Sequence, residues 1–238
     1  MRIVDFIRRT AVAFLLFAPA LQAKSLHFSG YDWEVRGDET GGPGPNHWSD
    51  ANAWLDKAGW LHLLISQRGG KWLCPEIFTK KSFGLGRYRF VVAGPIDRLD
   101  KNVVLGLFDY PEPSQGPDGT HEIDIEFAHW GSAAYPIGNY TVWPATRGVG
   151  SATKTFEFRL PGAVSTHTFM RTAAEVSFES RAAKKRLGKW TFAPDDAGRL
   201  VSREAMPVHI NLWLFDGHPP TDGREVEIVI HSFKFRAE

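Results

Sequence analysis

The sequence has 238 residues, with 28 Lys and Arg against 27 Asp and Glu, 43% hydrophobic and 13% aromatic side chains, and one cysteine. That composition builds a single folded domain and excludes a disordered tail protein. A formal net charge of +1 offers no electrostatic footprint for nucleic acid or an anionic membrane, which normally takes Lys and Arg clustered on one face; no phosphate backbone is expected as a partner.

In chain order, Arg2, Arg8 and Arg9 precede an apolar run from Ala11 to Leu21 that closes on the small residues Ala18, Ala20 and Ala23. This pattern predicts a cleaved secretory signal over residues 1–23, because the run falls short of the ~20 apolar residues that a membrane span needs. Removing it leaves 25 basic and 26 acidic side chains over 215 residues. The expected product is secreted or periplasmic, monomeric, and without a membrane anchor after processing. Cys74 is the single cysteine, so no intramolecular disulfide can form and the residue reads as a small buried apolar side chain.

Residues 24–238 contain no fixed-period repeat and no low-complexity linker, which predicts one domain. Gly and Pro punctuate it frequently, as in Gly41-Gly42-Pro43-Gly44-Pro45 and Pro111 to Gly119. Between these marks lie strand-like runs at Trp60–Ile65, Arg87–Val92, Val103–Phe108, Glu122–Phe127, Tyr140–Trp143, Thr155–Leu160, Val208–Phe215 and Val226–Phe235. They are rich in β-branched and aromatic residues, and several alternate with period two. Phe169 to Leu187 also suits a helix in composition and is read as a hairpin. So many strands with almost no helix predict an all-β sandwich or barrel with antiparallel pairing.

The sharpest chemical signal is His121-Glu122-Ile123-Asp124-Ile125-Glu126-Phe127. Alternation puts the three acids on one face of a strand and Ile123, Ile125 and Phe127 on the other, toward the core. Three like charges at this spacing repel each other, which an ordinary solvated strand would avoid by interspersing Lys, Thr or Ser. If the sheet curves so that the side chains of Glu122 and Glu126 lean together over Asp124, the outer pair can act as nucleophile and acid/base of a retaining glycosidase, whose carboxyls stand ~5 Å apart. Asp124 would then hold the nucleophile through a shared proton. A divalent-cation site or a plain solvated face remain the alternatives; no His/Cys spacing supports a transition metal. Nine tryptophans point the same way as the acids, since sugar rings stack on indole faces.

The run Glu122-Ile123-Asp124-Ile125-Glu126-Phe127 resembles the E-[ILV]-D-x-E signature of glycoside hydrolase family 16, the laminarinase, lichenase and agarase group. Glu76 to Tyr88, Val103 to Tyr110, Thr166-His167-Thr168-Phe169, Pro207 to Trp213 and Glu225 to Phe235 are similar to further segments of that family. The resemblance implies a concanavalin-like β-jelly-roll of two antiparallel sheets with an open cleft on the concave face. It further implies a secreted retaining endo-β-glycosidase of a β-1,3- or mixed-linkage glucan or a related galactan, with Glu122 as nucleophile, Asp124 as assisting carboxylate and Glu126 as general acid/base. Trp130, Asn139, Trp143, Asn211 and Trp213 are the expected substrate contacts, amides for hydroxyls and indoles for sugar faces. No cofactor is required, and no compact oxygen-ligand motif demands the structural calcium that many relatives carry on the convex face. The chain departs from the lichenase pattern at Ala128-His129-Trp130-Gly131 and lacks a Trp in the Thr172 to Ser177 region, which leaves the acids intact and the polysaccharide open. A transglycosylase on the same site and a non-catalytic carbohydrate-binding jelly-roll are the competing functions.

Overall fold

A computed structural model describes residues 23–238. The expected signal segment, apart from its last residue, lies outside the described residues. Among the latter, no helix is long and apolar enough to cross a membrane.

The chain forms strands β1 (Ser25–Phe28), β2 (Tyr31–Val35), β3 (Glu39–Gly41), β4 (Asn46–Trp48), β5 (Ala53–Leu55), β6 (Leu61–Arg68), β7 (Lys71–Cys74), β8 (Glu76–Phe83) and β9 (Gly86–Ala93). It continues with β10 (Val103–Asp109), β11 (Ile123–Ala128), β12 (Gly138–Val142), β13 (Ala152–Phe156), β14 (Val164–Arg171), β15 (Val176–Ala182), β16 (Lys185–Phe192), β17 (Met206–Leu214) and β18 (Val226–Ala237). They make two packed sheets, one ordered β1-β2-β8-β17-β10-β11-β12-β13 and the other β16-β15-β14-β9-β18-β6-β7-β4-β3, with β5 paired to β6. This is the expected jelly-roll sandwich.

Period two decides which face of each strand turns inward. In β9, Tyr88, Phe90 and Val92 are buried while Arg87 and Arg89 are exposed. Every residue of β10 is buried, because that strand has the second sheet on one side and the floor of a cleft on the other. An aromatic cluster fills the space between the sheets: Phe233 packs against Trp33 at 5.6 Å and Phe90 at 5.0 Å, and Tyr88 stacks on Phe169 at 4.3 Å. Offset and edge-on rings at such distances add specific attraction to their large buried area.

One buried ion pair ties the sheets together. Arg171, from β14, places Nη2 3.3 Å from Asp109 Oδ2 of β10, and both side chains are fully buried. The same nitrogen donates to the carbonyls of Phe83 and Gly84 and to the Tyr88 hydroxyl. Asp109 Oδ1 accepts from the Ile123 amide at 3.1 Å, which pins the first residue of β11. Burial pushes the Asp109 carboxyl up to about 6 even though Arg171 pulls it down.

Several strand ends differ from the sequence expectation by a residue or two, with Trp60, Glu122, Trp143 and Phe215 just outside their strands, and larger differences lie elsewhere. The Thr155–Leu160 run ends as a strand at Phe156, and Leu160 instead donates its amide to Asp97. The Phe169 to Leu187 region belongs to two successive hairpins, β14-β15 and β15-β16. One pair, β4 with β7, is parallel; β7 runs antiparallel to β6 and lies between β6 and β4.

Candidate active site

The acid-bearing strand β11 lies near the centre of the first sheet, between β10 and β12. Ile123, Ile125 and Phe127 are fully buried toward the second sheet, so Asp124 and Glu126 rise on the opposite face, as alternation requires. Glu122 sits one residue ahead of the strand. His121 before it adopts a left-handed backbone at φ 66°, yet the Glu122 carbonyl still accepts from the Trp143 amide at 2.9 Å, so the residue keeps the register of β11.

Register then lays out the cleft floor as two rows. One runs Asn139, Glu126, Gly106, Asn211, Glu76; the other runs Thr141, Asp124, Phe108, His209, Phe78. Gly106 is required in the first row: a Cβ there would stand 2.4 Å from Asn211 Oδ1, so only glycine lets the amide cross toward Glu126. A cleft of about 670 Å³ opens above β8, β17 and β10, with Glu122 and Glu126 on its wall. It is continued on the other side of the acids by a groove of about 410 Å³ under Trp130, Tyr135, Asn139 and Trp143.

The three acids share one electrostatic problem. Asp124 is 3% exposed and hydrogen-bonds to Glu122, while its Oδ2 accepts from the Trp143 indole N–H at 3.0 Å. Burial, then the charge and hydrogen bond of Glu122, hold the Asp124 carboxyl well above the usual carboxylate range. Glu126 is likewise held well above it by burial and by Asp124. Burial raises Glu122 too, repulsion from Glu126 and Asp118 adds to this, and the hydrogen bond from Asp124 opposes it, leaving the group at about 8. Three adjacent acids that cannot all ionise divide protons among themselves. Burial thus favours the protonated form at all three, and the hydrogen bond between Asp124 and Glu122 needs a proton between the two carboxyls.

The expected substrate contacts all border this site but differ in what they offer. Asn139 is buried, and its Nδ2 donates to the Ala128 and Ile137 carbonyls, leaving Oδ1 without a partner. Asn211 also has a buried, unpartnered Oδ1. Trp143 combines a half-buried ring at the groove with its bond to Asp124. Trp213 lines the cleft, is only 6% exposed and packs against Trp130 at 6.0 Å; Trp130 has φ 50° and also meets Phe215 edge-on.

Residues that the sequence did not single out complete the other half. Glu76 Oε2 takes a hydrogen bond from Arg36 at 2.8 Å and Oε1 one from His209 Nδ1 at 2.9 Å. Burial alone would raise the Glu76 carboxyl, but His209 and Arg36 outweigh it and hold it below its ordinary value. His209 is sandwiched between Phe78 and Phe108, each 5.2 Å away. Tyr110 donates to Asp118 at 3.0 Å over the same opening. A signal for Glu76 existed, as a lone acid two residues before Phe78 in a strand whose alternate residues Ile77 and Thr79 are buried; for Arg36, on a distant loop, there was none. Among the described residues, no group of three or more His, Cys, Asp or Glu is arranged to hold a metal ion.

No family model matches the sequence, and no curated protein matches it. Solved structures match the fold. The β-glucanase of Bacillus licheniformis is 17% identical with a TM-score of 0.64, covering 87% of this chain and 92% of that one. A glycoside hydrolase family 16 endo-glucanase from Bacteroides ovatus is 13% identical with a TM-score of 0.64, covering 86% and 94%. An immunostimulatory antigen and pseudo β-1,3-glucanase of Mycobacterium tuberculosis is 16% identical with a TM-score of 0.66, covering 87% and 91%. The chain therefore has the jelly-roll fold of the family 16 β-glucanases.

Proposed function

We propose that this protein is a secreted, monomeric, retaining endo-β-glucanase. The observation that carries the reading is the enclosed trio of Asp124 and Glu126 on the open face of β11 and Glu122 just ahead of it, crowded so that burial holds all three carboxyls above the ordinary range. Glu126, protonated, gives its proton to the glycosidic oxygen as that C–O bond breaks, and the leaving sugar departs as an alcohol. Glu122 acts in its ionised form, which becomes the majority only above about pH 8; oriented by the Asp124 O–H, its carboxylate attacks the anomeric carbon and forms a glycosyl ester. Glu126, now a carboxylate, takes a proton from water; the water oxygen attacks the same carbon, the ester C–O bond breaks, and Glu122 is freed. Two inversions give net retention. The enclosure that raises Glu126 is what makes it an acid near neutral pH.

The cleft also favours an uncharged substrate. Glu34, Glu39, Glu76, Asp118, Glu122 and Glu126 line it against Arg36 and His209, so sulfate groups on a galactan would meet like charge. The unpartnered Oδ1 atoms of Asn139 and Asn211 await donors, which sugar hydroxyls supply. The fold-sharing proteins described as β-glucanases support a β-1,3- or mixed-linkage glucan.

The test is reducing-end release by wild type and Glu122→Gln on β-1,3-glucan, mixed-linkage β-glucan, agarose and carrageenan, with binding followed in parallel and product anomers read by NMR. Cleavage of a glucan with β-anomers formed first, abolished in the variant while binding persists, is expected. Binding without cleavage by wild type would support instead the non-catalytic reading, which the fold-sharing pseudo β-1,3-glucanase keeps in view.

A further inference from the structure

The outer face of the second sheet, opposite the cleft, carries a charge arrangement that the proposed reaction does not use. In β9 and β18 the inward side chains Tyr88, Phe90 and Phe233 are buried, which leaves Arg87, Arg89, Lys234 and Arg236 exposed on the outside. Register sets Lys234 directly opposite Arg89 and Arg236 directly opposite Arg87. The four cations thus form a two-by-two grid, with cross-strand neighbours ~5 Å apart at Cβ and ~6.6 Å between successive members of one strand.

Like charges placed directly opposite each other destabilise a sheet, and natural sheets usually pair them with acids. Here no ion pair among the described residues involves any of the four. Glu179, which shares a groove with Arg87 and Arg89, is already paired with Arg181 at 2.9 Å and Arg186 at 3.0 Å. The grid does not end on a flat surface. Arg87 and Arg89 form one side of a groove of about 750 Å³, with Thr166 and Thr168 of β14 on its floor and Glu179 and Arg181 of β15 on the other side.

We propose that this groove and grid bind an acidic polysaccharide, a sugar chain bearing repeated sulfate or carboxylate groups. Guanidinium groups recognise planar or tetrahedral oxyanions through paired N–H donors, and the threonine hydroxyls suit sugar hydroxyls between them. A recessed groove accommodates a chain, whereas a flat anionic bilayer would touch only its rim. The cleft face is acidic and this face is basic, so a polyanion held here stays out of the active site; the near-zero net charge conceals both. The inference is independent of which glucan the cleft takes.

The experiment measures binding of the purified protein to dextran sulfate and to unsubstituted dextran at low ionic strength, with salt then raised to ~0.5 M, where the screening length falls to a few ångströms. Dextran sulfate is expected to bind and dextran not, with salt abolishing the difference. The variant R87Q/R89Q/K234Q/R236Q should weaken dextran sulfate binding by at least ~10-fold while its melting temperature is unchanged or higher, since like-charge pairs are removed. A control that removes four exposed cations elsewhere, R68Q/K71Q/R98Q/R224Q, should retain binding, as should R87K/R89K/R236K to within a few-fold. Equal binding of both polymers by wild type, equal losses in the grid and control variants, or a preference for phosphatidylglycerol vesicles over dextran sulfate would each overturn the proposal.

Discussion

The Trp143 indole N–H donates to Asp124 Oδ2 at 3.0 Å, and the same Asp124 carboxyl hydrogen-bonds in turn to Glu122. Trp143 follows β12, and its own amide is held by the Glu122 carbonyl. One residue therefore braces both the backbone of the proposed nucleophile and the acid that orients it.

Trp143→Phe keeps a ring at the groove but leaves the buried Asp124 Oδ2 without its donor. A buried acceptor left without its donor costs ~1–3 kcal/mol, so kcat on β-glucan is expected to fall ~5–100-fold with little change in KM. A rise in KM at unchanged kcat would mean that the ring binds sugar and positions nothing.

The acid trio lowers stability as pH rises. A carboxyl whose pKa is raised by folding retains a proton that the unfolded chain has released, so stability falls from the ordinary glutamate value of ~4.3 toward about 8, where Glu122 titrates. Glu126→Gln removes one of these acids. Its melting temperature should match wild type at pH 4 and exceed it at pH 8 by ~2–4 °C, the shift that about 1 kcal/mol produces in a domain of this size, while glucan cleavage is lost. Scanning calorimetry at the two pH values checks this.

Arg171→Met strands Asp109 as a buried, uncompensated acid. A cost of ~3–5 kcal/mol is expected, read as a lower urea midpoint. The double change Arg171→Met with Asp109→Asn should recover much of it, because the buried charge is then gone.

Gly106→Ala puts a methyl group 2.4 Å from Asn211 Oδ1 and 3.2 Å from the Phe108 ring. The cleft floor must shift beside Glu126, at a cost of ~1–3 kcal/mol in stability, and glucan cleavage is expected to drop at least tenfold. Pairing it with Asn211→Ala relieves the overlap and should restore stability more than activity, since the amide is lost as well; melting and kinetics together separate the two effects.

The local pattern was enough to identify the strands around the acids and the face they share, because a strand's alternation of sides depends on nothing beyond the strand. The buried Ile123, Ile125 and Phe127 follow from that rule, as does the placement of Asp124 and Glu126 on the open face. Tertiary structure decided what those acids meet. Arg36 and Glu76 are 40 residues apart in the chain, and Glu76 and His209 are 133 apart; only the β2-β8-β17 pairing brings them into one cleft. The raised carboxyls of the trio, the need for glycine at 106 and the cation grid on β9 and β18 are likewise consequences of burial and cross-strand register. Those depend on which strands become neighbours, and summed composition cannot show it, because an acidic face and a basic face cancel in the net charge.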